Sequence, residues 1–101
     1  MQSDDFETYE DDHIPREEQH YDFATLVKNE IERQGTLFNR PIASMHEAYG
    51  VLLEEVDEFW DEVRKKPAAR VRSDVLKELI QIAAYTSRIA VELGYLDRPK
   101  K

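Results

Sequence analysis

Residues 53–63 read Leu-Glu-Glu-Val-Asp-Glu-Phe-Trp-Asp-Glu-Val and crowd Glu54, Glu55 and Glu58 onto one stretch of helix. Side chains three and four apart are neighbours on a helix, and like charges at that spacing destabilise it by about 0.2–0.5 kcal/mol a pair. Such a face either points at water or meets something positive. A further acid, Glu78, stands in the next apolar segment within a narrow polar strip: Asp74, Lys77, Glu78, Gln81, Tyr85, Arg88 and Glu92. If the two segments are helices packed antiparallel, as a short connector favours, Glu55 and Glu58 face Glu78 across the seam. Three carboxylates gathered there repel by several kcal/mol at an effective dielectric of ~20. Protonation relieves that repulsion, and so does a divalent cation. Oxygen ligands without His or Cys suit a hard ion, Mg²⁺ or Mn²⁺. Magnesium usually shares itself with substrate phosphates, which points to a phosphate ester or anhydride. The competing reading is an ordinary acidic surface, because Glu is a strong helix former.

The elements that must position these acids are legible as periodic apolar patterns. Ser44-Met45-His46-Glu47 fits a capping box, with Ser44 at the N-cap and Glu47 three residues on. Met45, Ala48, Tyr49, Leu52, Leu53, Val56, Phe59, Trp60 and Val63 then recur at helical spacing to about Arg64. Glu47, Glu54, Glu55, Glu58 and Glu62 form an arc beside that stripe, Glu55 nearest the core edge. Upstream, Phe23, Leu26, Val27 and Ile31 predict a helix from about Tyr21 that Gly35 can close, and Pro41 breaks the connector after it. Downstream, a basic connector carrying Pro67 precedes a helix from about Ser73–Asp74 to Gly94, a C′ glycine. Apolar residues cover well over half of this last helix, so it must be buried on several sides, and a second copy of the chain is expected to help. The architecture predicted is an all-α bundle of about three to four helices per chain, assembled as a dimer or tetramer.

The 101 residues bound the chain to one small domain. It has no cysteine, and no apolar run approaches a membrane span, so a cytoplasmic protein without disulfides is expected. The net charge of −8 is unevenly placed: residues 1–20 hold eight acids against Arg16 alone. The first twenty residues therefore read as a flexible acidic leader and 21–101 as a nearly neutral helical domain. No basic face exists to neutralise phosphates, which argues against a nucleic-acid polymer as partner.

The run HEAYGVLLEEVDEFWDEV, a basic connector and then SDVLKELIQIAAYTSRIAVELG resembles the all-α nucleotide pyrophosphohydrolases of the MazG type. That superfamily also includes the dimeric dUTPases, and its signature is EExxE on one helix and ExxD on the next. The similarity covers roughly residues 22–94. The first half is present as Glu54 to Glu58; the second reads Glu78-Leu79-Ile80-Gln81, with Gln where the family has Asp. The resemblance implies Glu55, Glu58, Glu78 and Gln81 as magnesium ligands, with Glu54 ligating a further ion or orienting the attacking water. It implies hydrolysis of a nucleoside triphosphate to monophosphate and pyrophosphate. Gln81 adds no negative charge and cannot act as a base, so it should weaken the site; Asp74, one turn before Glu78, could compensate in part.

Lys77 and Arg88 share the polar strip with Glu78 and are candidate phosphate contacts; Arg64, Lys65, Lys66, Arg70 and Arg72 read as a solvated basic loop. Tyr85, Trp60 and Phe38 could stack on a base, Tyr85 best because it lies in the strip and Trp60 in the core stripe. His46-Glu47 is not a zincin motif, because position 50 is Gly, and no Glu-x-x-His pair marks a di-iron bundle. The alternative from another class is a non-catalytic helical oligomer, binding nucleotide or engaging a basic partner through its acidic leader.

Overall fold

A computed structural model describes residues 14–37 and 40–97. Among these the chain is all-helical. Helix α1 spans Arg16–Leu37, α2 spans Met45–Val63, a 3₁₀ turn covers Pro67–Ala69, and α3 spans Arg72–Glu92. No described helix is long and apolar enough to cross a membrane.

Helix α1 begins five residues earlier than the apolar period indicates. The N–H of Gln19 donates to the Pro15 carbonyl at 3.0 Å, starting the helix directly after the proline. Glu17 and Glu18 then fall in the first turn, where the helix dipole stabilises the acids that in the sequence read as a repelling leader. Gly35 does not close the helix, which continues to Leu37; nothing approaches its Cβ position, so it costs propensity without breaking the chain. Residues 1–13, the rest of the expected leader, lie outside the described residues, as does Phe38.

Helix α2 starts as its sequence indicates, with one change of partner. The Ser44 hydroxyl accepts from the Glu47 N–H at 3.0 Å. Glu47 does not return the bond to Ser44; it accepts from the Ala43 N–H at 2.6 Å and pairs with Arg40 at 2.5 Å. Helix α3 starts at Arg72, a residue or two before the expected Ser73–Asp74, and Val71 supplies no side-chain cap. Its end is a Schellman motif. Gly94 has φ 84°, its N–H donates to the Val91 carbonyl at 3.1 Å, and that of Tyr95 donates to the Ala90 carbonyl at 2.8 Å.

Helix α3 is the central element: α1 and α2 each pack on it, and the backbones of α1 and α2 do not approach one another. The start of α2 meets the end of α3, through the Ile42 N–H donating to Glu92 at 2.8 Å and through Tyr95 beside Met45, so these two run antiparallel. The core between them holds Ile42, Ala48 and Tyr85, with Val51, Leu52, Ile89 and Leu93 packed around. On the other side of α3 a polar clasp fastens α1. Arg88 pairs with Glu92 through Nε at 2.6 Å and Nη2 at 3.1 Å, donates to Gln34 of α1 at 3.3 Å, and lies 5.7 Å from the centre of the Tyr85 ring.

The packing orientation of α3 differs from that of a water-soluble surface helix. Its polar strip faces inward from Glu78 onward, with Tyr85 and Arg88 buried and Glu78, Gln81 and Glu92 half-buried; Asp74 and Lys77 at its start are exposed, as are the apolar Leu76, Leu79 and Val91. No large side chain of the described residues is fully buried.

A three-carboxylate candidate metal centre

Glu55 and Glu58 stand one turn apart on α2, on the flank beside its core face; Glu78 comes from the facing turn of α3. One carboxylate oxygen from each lies within 4.8 Å of the other two. Glu55 and Glu78 are half-buried and Glu58 is exposed, so the cluster opens to solvent on one side.

Burial pushes the carboxyls of Glu55 and Glu78 above the ordinary value of 4.5. Glu58 and Glu78 then raise Glu55 further, and Glu58 raises Glu78 both by its charge and by a side-chain hydrogen bond. Such a bond between two carboxyls needs one of them protonated. A site that raises its acids in this way gains from any cation placed among them.

Gln81 borders the same space. With its amide nitrogen turned inward it donates to Glu78 Oε1 at 3.3 Å and Glu55 Oε2 at 3.3 Å. With its oxygen inward, a half-turn of the amide away, it presents a neutral oxygen to the centre of the cluster. The side chain can thus bridge the acids or join them as a ligand. The donor set is all oxygen, and magnesium takes oxygens at ~2.0–2.1 Å, so opposite ligands lie about 4 Å apart. A spread of 4.8 Å fits that span after a small side-chain movement.

The other expected site residues divide. Glu54 is exposed, next to Glu55 but outside the three-carboxylate group. Lys77 is exposed, and its charge draws down both Glu78 and Glu30. Asp74 is exposed in the first turn of α3 and does not join the cluster. Tyr85 and Arg88 are buried, at 6% and 7% exposure, and Arg88 is held by Glu92 and Gln34. Trp60 is not in the core stripe; it is 55% exposed on the other flank of α2. In the basic connector Arg64 pairs with Asp61 and Lys65 with Glu62, while Arg70 donates to the last carbonyls of α2, Glu62 at 3.2 Å and Val63 at 2.5 Å.

Two further acids act on the site. Glu30 of α1 is close enough for its charge to raise Glu55, although it is engaged by Arg33 at 2.6 Å and Gln34 at 3.0 Å. Glu62, one turn beyond Glu58, is buried beside Lys65 and its charge raises Glu78. Glu62, four residues after Glu58, already falls in the acidic arc beside the apolar stripe of α2. Glu30 stands beside Ile31 on the apolar side of α1, and the acidic motifs of α2 and α3 carry no signal for it.

Compared with protein-family models, with curated proteins and with solved structures, the chain matches none.

Proposed function

We propose that Glu55, Glu58 and Glu78 hold Mg²⁺, and that the chain hydrolyses nucleoside triphosphates to monophosphate and pyrophosphate, in keeping with its sequence resemblance to the MazG-type enzymes. The observation that carries this reading is the approach of three carboxylate oxygens from two helices to within 4.8 Å, where burial and the neighbouring acids already raise Glu55 and Glu78. Magnesium bound there supplies charge neutralisation and Lewis acidity at the phosphates. Glu55 and Glu78 are the inner ligands and Glu58 the outer one, at the open side where a phosphate chain would enter. Gln81 contributes its amide oxygen without charge. Glu54, solvent-exposed beside the cluster, accepts the proton that water loses on attacking the α-phosphorus, as the bond to the pyrophosphate oxygen breaks. Lys77 lies within electrostatic reach of Glu78 and is the cation placed to meet the departing phosphates. Arg88 and Tyr85, enclosed between helices, position the α3 strip rather than touch substrate. The reading includes self-association of the chain.

Incubation with each NTP and dNTP in the presence of Mg²⁺ should release monophosphate and pyrophosphate. Glu55→Ala and Glu58→Ala should each lower the rate at least ~100-fold while leaving helicity unchanged, the scale on which charge-stabilising groups act in phosphoryl chemistry. No turnover, together with no magnesium-dependent thermal shift, would sink the proposal.

A further inference from the structure

We infer that the acidic leader, residues 1–13, docks on the connector between α2 and α3 of the same chain. The six acids Asp4, Asp5, Glu7, Glu10, Asp11 and Asp12 stand in that stretch without a Lys or Arg. The connector holds Arg64, Lys65, Lys66, Arg70 and Arg72 without an acid. The fold brings the two to one end of the molecule. Gln34, near the end of α1, accepts from Arg88, near the end of α3, at 3.3 Å, and the charge of Lys77, near the start of α3, acts on Glu30. Helices α1 and α3 therefore run parallel. Arg16 lies ~27 Å back from Gln34, and Arg72 ~24 Å back from Arg88, at ~1.5 Å a residue, so both helices start at the end where the connector sits. Residues 14–22 are exposed, so the chain enters α1 from the surface. Thirteen residues reach at most ~45 Å, well over the 29 Å width of the molecule.

Three features of the connector select this occupant. First, it is a fixed surface. The Ala69 N–H donates to the Lys66 carbonyl at 2.8 Å to close the 3₁₀ turn, and Arg70 Nε donates to the Glu62 carbonyl at 3.2 Å. Second, its local ion pairs contribute little: Arg64 and Asp61 are 64% and 57% exposed, and Lys66 and Arg72 are exposed as well. Third, the positive end of the α3 dipole opens at Arg72, where Val71 supplies no side-chain cap, so a carboxylate gains there from the helix as well as from the basic side chains. Outside the two stretches the chain holds sixteen acids against nine bases, so the rest of it repels the leader overall. A free phosphate or a nucleic acid meets the same cations, but must displace a segment that the tether keeps at high local concentration. The basic partner of the leader is thus the chain's own connector. Docked, the leader neutralises the end of the α2–α3 seam, from which Glu62 and Glu58 lead to the carboxylate cluster, and salt releases it.

The chain has no cysteine, so Ser3→Cys gives a single site for a nitroxide label beside the acids. In the labelled full chain at ~0.01 M salt, the amide signals of residues 64–72 should be lost to paramagnetic broadening. They should return at ~1 M salt, where the screening length falls from about 30 Å to about 3 Å. Lys66→Glu combined with Arg72→Glu, both at exposed positions, should restore the signals at low salt. Should that variant fail to fold, the salt series on the labelled chain still decides. Broadening confined to the first turns of α1 at both salt concentrations overturns the inference. So does broadening of residues 94–97, which would give the leader to the other basic run, Arg98, Lys100 and Lys101. Broadening along Met45–Trp60 that salt does not reverse overturns it too, by giving the leader to an apolar surface through Phe6 and Tyr9. In a mixture of labelled chain with unlabelled, isotope-enriched chain, residues 64–72 of the enriched chain should stay sharp; their loss would seat the leader on another copy and overturn the inference. None of these readings depends on turnover or magnesium, so this inference and the proposed hydrolysis fail separately.

Discussion

Gln81 sets the charge of the site, since it stands where a fourth carboxylate would complete the cluster. Its amide lies 3.3 Å from both Glu55 and Glu78, near enough to join them and unable to take up a proton or attract a cation as a carboxylate does. Gln81→Asp should therefore tighten magnesium about tenfold, equivalent to ~1.4 kcal/mol. It should also lower the stability of the metal-free chain at neutral pH, because four acids repel more than three. Calorimetric titration and urea unfolding check the two halves, and unchanged magnesium affinity would mean that position 81 stays outside the coordination sphere. The pH dependence belongs to the same residues. Glu55 and Glu78 are raised in the folded chain, so it holds their protons to higher pH than the unfolded chain does. Their contribution to stability is present at low pH and is lost as pH rises through the folded pKa. Glu30, Glu47 and Glu92 are lowered by Arg33, Arg40 and Arg88, and their contribution is lost in the other direction, as pH falls. The difference between melting curves with and without Mg²⁺ isolates the cluster. It should be largest near neutrality and shrink as pH falls through the raised carboxyls of Glu55 and Glu78, where protons displace the ion. A magnesium increment independent of pH would place the ion elsewhere.

At the scale of elements, the connector between α1 and α2 is tied to the end of α3 by one carboxylate. Glu92 accepts from the Ile42 N–H at 2.8 Å and from Arg88 at 2.6 Å, and Arg88 in turn holds Gln34 of α1. Arg88 keeps only 8% of its side chain exposed, so a lost counter-charge there is not replaced by water. Glu92→Gln should destabilise the chain by about 2–3 kcal/mol, below the usual cost of breaking a fully buried pair because Glu92 is 24% exposed. Arg33→Ala, whose side chain is 50% exposed, should cost clearly less, because water replaces the lost contact. Urea unfolding followed by circular dichroism compares the two, and equal costs would remove the clasp's special role. This element also marks how far the sequence is readable. The spans of α2 and α3, the Ser44 cap and the Gly94 stop follow from local periodicity and turn chemistry, which act over a few residues. The convergence of Glu55, Glu58 and Glu78 follows from that spacing once the short connector makes α2 and α3 antiparallel. The burial of Arg88 and Tyr85 does not follow. Both sit in a strip that is polar by composition, and only the docking of α1, with the Gln34 and Glu92 contacts, turns it inward. Trp60 fails in the opposite way: its spacing is that of a core residue, but it lies on a flank of α2 that α3 does not cover and is 55% exposed.

For the whole molecule, charge acts in opposite directions on the candidate chemistry and on the proposed self-association. The chain carries a net charge of −8, so two copies brought together repel overall, while its exposed apolar residues contribute no ion pairs to offset that repulsion. Salt shortens the reach of this repulsion, from about 30 Å at 0.01 M to about 10 Å at 0.1 M, and leaves burial of apolar side chains untouched. The proposed self-association should therefore tighten as sodium chloride rises over that range, and the melting temperature should become more sensitive to protein concentration at low salt. The magnesium increment should behave differently. A cation held by three carboxylates loses part of its attraction when the field is screened, so the increment should weaken with salt while remaining independent of protein concentration. Sedimentation and thermal melting across salt and protein concentration separate the two dependences. An assembly that loosens with salt would mean that ion pairs hold it.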